Sequence, residues 1–164
     1  MRRIQFFVGG EPKAQPRPRA FAKRVGNKFF ARVFDAGTAE GWKSQVALAA
    51  GAFLTGDPIR GPIGLELIFM MPRPKVDYRS NGMLKPGRSL FHTNKPDTDN
   101  LIKAVMDAIT RLGLWTDDGQ VCQSWTEKRY ADGPRECGCH ITITELVAGQ
   151  SVKPTAAQLE MASL

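Results

Sequence analysis

The chain has 164 residues, 23 Lys or Arg against 16 Asp or Glu, a net charge of +7 and an apolar fraction of 42%. That size suits one domain whose core stands without disulfides or a structural metal, and three cysteines without framework spacing point to a reducing, cytoplasmic setting. No apolar run approaches the roughly 20 residues of a membrane span, and Met-Arg-Arg-Ile-Gln-Phe-Phe-Val-Gly-Gly at the start turns polar too quickly for a signal peptide.

Ile4–Val8 reads as a first strand, ended by Gly9-Gly10. Residues 11–19 carry three prolines and three cations, and proline fixes φ and removes donors, so they form an extended arm. Ala20–Val25 and Lys28–Phe34 flank Gly26-Asn27, a two-residue hairpin signal. In the second hairpin strand cations interleave with aromatics, and alternation sends Phe30 and Phe34 to one face and Phe29 to the other. Residues 39–54 read as a helix capped by Thr38, with Trp42, Val46, Ala49 and Phe53 along one stripe. Ile63–Met71 alternates strictly and has further apolar residues between, the pattern of a well-buried strand.

Between Pro72 and Pro96 the periodicity fails: four prolines, two glycines and six cations accompany a single acid, Asp77. A structureless stretch of this length inside a domain is a functional loop more often than a plain connection. A second helix follows over about 100–112, striped by Leu101, Val105, Ala108 and Leu112 and stopped by Gly113. Trp115–Gly119 is a turn, Val121–Tyr130 a strand, and Cys137–Leu146 a last strand. The expected fold class is α/β: one domain over residues 1–146, a small mixed sheet packed against two main helices, with 147–164 as a weakly patterned tail.

The charge is confined to one region. Residues 1–35 hold nine cations and two acids, while the remaining 129 residues balance at 14 of each. A concentrated positive field suits a polyanion, nucleic acid before membrane. The candidate DNA contacts are Lys13, Arg17, Arg19, Lys23, Arg24, Lys28, Phe29 and Arg32, with Lys95 from the long loop.

The chemistry concentrates in Lys95-Pro-Asp97-Thr-Asp99-Asn100-Leu-Ile-Lys103 and in Asp117-Asp118. Acids at a helix start stabilise it by ~0.3–1 kcal/mol, and Asp is a common N-cap, so capping accounts for one of them. It accounts poorly for Asp97, Asp99 and a second acidic pair together. Hard carboxylate oxygens suit Mg²⁺, which binds through one or two carboxylates plus phosphate oxygens and keeps several waters. Asp97 and Asp99 can converge with Asp117 or Asp118 if the two turns lie at one end of the sheet. Lys103, four residues after Asp99 on the same helical face, either pairs with Asp99 or Asp107 or stabilises charge on a scissile phosphate. Cys137-Gly-Cys139-His140 lacks the ligand set of a structural zinc site, and strand alternation places both cysteines with Ile141 and Ile143 in the core. His92 reads as a loop histidine, and Trp42 and Trp115 as packing residues.

Lys-Pro-Asp-Thr-Asp-Asn-Leu-Ile-Lys-Ala-Val-Met-Asp-Ala, followed by Leu-Trp-Thr-Asp-Asp-Gly-Gln-Val, resembles the Holliday junction resolvases of the RusA type, as does the early Pro-Lys-Ala-Gln-Pro-Arg-Pro-Arg. The likeness covers roughly residues 4–146. It implies a RusA-like fold and a homodimeric, bacterial or phage-encoded, Mg²⁺-dependent (or Mn²⁺-dependent) endonuclease that nicks four-way DNA junctions symmetrically. It implies Asp97, Asp99 and Asp118 as metal-binding catalytic acids, Asp117 as a secondary ligand, and Lys103 as the catalytic lysine. Two other readings compete. One is a non-catalytic protein that binds junctions or single strands, in which the acids only cap and pair; the other is a metal-dependent phosphohydrolase of small substrates, which leaves the positive arm unexplained.

Overall fold

Strict alternation from Ile63 to Met71 turns the odd-numbered side chains toward one face of a sheet, where all five are buried. In the computed structural model, which describes residues 2–16, 19–25, 28–34 and 37–147 (those of 19–25 and 28–34 by backbone alone), this strand lies inside a four-stranded mixed sheet. The elements are β1 (Arg3–Gly9), β2 (Arg19–Val25), β3 (Lys28–Phe34), α1 (Glu40–Gly51), β4 (Ile63–Met71), α2 (Thr98–Leu112), β5 (Val121–Tyr130) and β6 (Gly138–Glu145). The sheet order is β1-β6-β4-β5, and β2 and β3 form a separate hairpin. One small α/β domain with a mixed sheet and two helices is therefore present, as the sequence predicts.

β4 and β5 run parallel, so a crossover must join them, and α2 supplies it. β6 pairs antiparallel with both β1 and β4. The core lies between the sheet and the two helices: Ile4 and Val8 of β1, the odd residues of β4, and Cys139, Ile141 and Ile143 of β6 meet Trp42 and Val46 of α1 and Leu101, Val105 and Ile109 of α2. Trp115 is fully buried, and its indole donates to Thr110 Oγ1 at 2.6 Å. Burial pushes the Cys139 thiol well above its usual range, as befits a core cysteine.

The helix boundaries differ from expectation in instructive ways. α1 begins at Glu40 behind Ala39, with no side-chain cap, so Thr38 does not cap it. α2 begins at Thr98, three residues before the apolar stripe starts at Leu101, and ends at Gly113, whose φ of 81° is the left-handed conformation that glycine adopts without strain. The predicted Gly26-Asn27 turn falls outside the described residues, though β2 and β3 pair in the register it requires, with Val25 opposite Lys28. The tail from 148 onward also falls outside them.

The stretch from Pro72 to Pro96 is folded rather than structureless, and its one acid is the reason. Asp77, buried, lies 3.5 Å from both Arg73 and Arg88, and its carbonyl accepts from Lys85 N at 2.9 Å. Arg73 also donates to Ser89 O at 3.0 Å and sits over the Tyr130 ring, 4.6 Å from its centroid.

Candidate metal and nucleic-acid site

β5 is an edge strand, and an uncovered edge presents unpaired backbone groups. Here the end of the long segment covers part of it: Tyr130 N donates to Leu90 O at 2.8 Å and His92 N to Lys128 O at 3.1 Å. His92 packs edge-on against Tyr130 with ring centroids 4.8 Å apart, so it is a half-buried residue of this seam rather than a free loop histidine. Burial, and then the charge of Lys128, hold its pKa below the usual histidine range. Phe91, between them, is largely exposed.

The seam delivers the chain to the start of α2. Lys128 Nζ donates to Asn94 O and to Pro96 O, both at 2.7 Å, and so holds the turn that precedes Asp97. Burial lowers the Lys128 pKa while the Asp97 carboxylate opposes that shift. Lys128 does not stand out in the sequence; within Val121–Tyr130 it reads as one more polar position of an edge strand.

Asp97 occupies the N-cap position of α2 and its carbonyl accepts from Leu101 N, but its side chain makes no capping hydrogen bond. Asp97 and Asp99 are both exposed. Lys95, beside them across a cis peptide bond to Pro96, is exposed as well. The N-terminal arm reaches the same place, for Gln15 N donates to Asn100 O at 2.9 Å. Within that arm Lys13 pairs with Glu11 at 2.7 Å. Arg17 lies outside the described residues, as do the side chains of Arg19, Lys23, Arg24, Lys28, Phe29 and Arg32.

Lys103 lies on the exposed face of α2 with its Nζ 3.4 Å from Asp107. Asp107 is shared with Lys43, a lysine buried in α1 whose Nζ is 3.5 Å away. Lys43 also meets Glu40 at 3.3 Å, and Arg111 meets Glu40 at 2.9 Å. Those two cations hold the Glu40 carboxyl below the usual range. Asp107 thus belongs to the seam between the helices.

Asp117 and Asp118 divide their tasks. Asp117 caps a short 3₁₀ turn, accepting from Gly119 N at 2.7 Å, while Gln120 Oε1 accepts from Asp117 N at 2.9 Å. Gln120 Nε2 ties this turn to Ile59 O and Gly61 O, both at 2.9 Å, just before β4 begins. Asp118, half-exposed, takes no part in the cap.

The two acidic pairs lie at opposite ends of the sheet. α2 starts where β5 ends, beside Lys128, and its 15 residues carry the chain back about 20 Å to the end where β5 begins. Asp97 and Asp99 stand at the first end and Asp117 and Asp118 at the second. Convergence of both pairs within one chain is thus not what this topology builds, and no group of three His, Cys, Asp or Glu able to hold a metal occurs among the described residues. The Asp97–Asp99 pair alone suits a hydrated Mg²⁺: two hard, exposed carboxylates, one of them in a cap position without capping.

Among the described residues no helix is long and apolar enough to cross a membrane. The family model described as Endodeoxyribonuclease RusA matches residues 9–144. A Bacillus subtilis (strain 168) protein named "Uncharacterized protein YqaN" is 34% identical over 140 residues, 80% of this chain and 91% of that protein. With the match spanning the arm, both helices and both acidic pairs, the chain belongs to the RusA endodeoxyribonuclease family.

Proposed function

We propose that this protein is a Mg²⁺-dependent endonuclease, working in the cytoplasm, that resolves four-way DNA junctions by paired phosphodiester hydrolysis. The observation that carries the reading is the pair of exposed carboxylates, Asp97 and Asp99, at the start of a helix whose cap bond Asp97 does not make. Asp97, Asp99 and Asp118 are the metal-binding acids, with Asp117 secondary because its carboxylate serves the turn. A bound Mg²⁺ (or Mn²⁺) would supply charge on the scissile phosphate and a more acidic water.

The protein's own groups do the rest. Lys128 holds the turn that presents Asp97. Lys103, one helical turn beyond Asp99, releases Asp107 and meets the negative charge of a phosphate brought to the acids. The basic arm, docked at Asn100, guides the backbone of DNA to the same place. Because the two acidic pairs of one chain stand at opposite ends of β5, a set drawn from both is met between two chains. A two-fold dimer also provides two related sites for two symmetric cuts.

The test is a synthetic four-way junction with Mg²⁺, beside linear duplex of the same sequences and a control with EDTA. Paired nicks in the junction alone, lost with EDTA and in Asp99→Asn and Asp118→Asn, are expected. A wild-type protein that binds the junction without nicking it, or Asp118→Asn that nicks normally, overturns the reading.

A further inference from the structure

α1 and α2 pack against each other, and a line of charged groups runs along their seam. Each of its two acids divides its oxygens between two cations. Asp107 turns Oδ2 to Lys43 at 3.5 Å and Oδ1 to Lys103 at 3.4 Å. Glu40 turns Oε1 to Lys43 at 3.3 Å and Oε2 to Arg111 at 2.9 Å. Lys43 is the cation that both acids share, and the line holds three cations to two acids.

The three cations are not equivalent. Lys43 is only 4% exposed, and a buried ammonium stays with its counter-charges. Lys103 and Arg111 are well exposed, and ion pairs at the surface part at little cost. Order within the helix weakens the Lys103–Asp107 pair further. An acid four residues before a lysine is favoured over the reverse, and here Asp107 follows Lys103 while Asp99 precedes it. Helical side chains also lean toward the N-terminus, so the bias of Lys103 is toward the Asp97–Asp99 end of α2. What opposes that bias is the charge of Asp107, and Lys43 meets that charge from inside the seam.

We infer that Lys43 is a positioning residue: by neutralising Asp107 it leaves Lys103 free to turn to the phosphate at the acids. This rests on the nuclease reading above, in which Lys103 meets that phosphate. Without Lys43 the line holds two acids and two cations, and Lys103 becomes the counter-charge that Asp107 retains. A lysine that merely packed α1 on α2 would give a different result, because removing the Asp107 charge would not repair its loss.

Single-turnover nicking of a four-way junction at saturating protein with Mg²⁺ tests this. Lys43→Met is expected to nick about tenfold more slowly at unchanged junction affinity. Lys43→Arg and the double variant Lys43→Met with Asp107→Asn are expected to recover most of the rate. A folded Lys43→Met that nicks at the wild-type rate, or a double variant no faster than Lys43→Met, overturns the inference. Glu40→Gln, at an exposed position, folds whatever becomes of Lys43→Met. It leaves Lys43 to Asp107 alone, so its rate is expected to equal or exceed that of wild type, and a tenfold fall overturns the inference. Trace acetylation without DNA or metal gives a second readout, with the exposed Lys95 as internal reference. Lys103 is expected to react about threefold more slowly in Lys43→Met and to recover in the double variant; unchanged labelling overturns the inference. A wild type that shows this labelling pattern but nicks no junction would overturn the nuclease reading and leave the control of Lys103 by Lys43 standing.

Discussion

Lys128 and Pro96 are joined along the β5 edge of the sheet by a 2.7 Å hydrogen bond from the ammonium to the carbonyl, and the same ammonium reaches Asn94 O at 2.7 Å. One side chain of an edge strand thereby sets where α2 begins and where Asp97 stands. The strand is anchored by its parallel pairing with β4, unbroken from Gln123 to Tyr130. The turn is not self-supporting, since Asp97 does not cap its own helix.

Lys128→Met should therefore damage catalysis more than fold. Each hydrogen bond to a charged group is worth about 1.5–3 kcal/mol, and the two made by Lys128 set the scale of the loss in stability. Single-turnover nicking should slow at least tenfold while junction affinity stays near wild type. Lys128→Arg, which keeps the charge and donors, should recover part of the rate. Equal rates for Met and wild type would dissociate this lysine from the site.

Asp117 and Asp118 should part company on substitution. Asp117→Ala removes a cap and should cost about 1 kcal/mol, a fall of roughly 2–4 °C in Tm for a chain of this size. Asp118→Asn removes no cap and should change stability by less than about 0.5 kcal/mol, while nicking falls below detection. Thermal melts and junction assays on the two variants check both halves.

The basic β2–β3 hairpin should govern affinity and its salt dependence. Replacing Lys23, Arg24 and Lys28 by Gln should weaken junction binding and flatten the plot of log K against log salt, by about 0.9 for each phosphate that is no longer neutralised. The nicking rate at saturating protein should be unchanged. A titration of binding between low and physiological salt measures the slope directly.

His92 should make the protein sensitive to mild acid. Its folded pKa lies below the ordinary value because of burial and the neighbouring Lys128 charge. The unfolded chain therefore binds the proton first as pH falls, and the stability from a neutral, packed His92 is present above about 6.5 and lost as pH descends through the folded pKa. Melts between pH 7.5 and 5 should show a steeper fall in Tm for wild type than for His92→Gln. Parallel curves would assign the acid sensitivity elsewhere.

Much of the fold is written in local pattern. Alternation marks β4, the stripes of Leu101, Val105 and Ala108 mark α2, and Gly113 marks its end, because burial of one face and left-handed backbone are properties of neighbours in sequence. The residue types of the site are equally legible: Asp97, Asp99 and Lys103 stand out for charge and spacing alone. What the sequence could not decide is relative placement. That Asp77 organises the basic segment through Arg73 and Arg88, that Lys43 of one helix holds Asp107 of the other, and that Lys128 fixes the turn before Asp97 all depend on contacts between residues distant in the chain. The separation of the two acidic pairs is the sharpest case. Their spacing in sequence is short, but a parallel β4–β5 pair obliges α2 to run the full length of the sheet between them, and only that direction of travel decides that they stand at opposite ends.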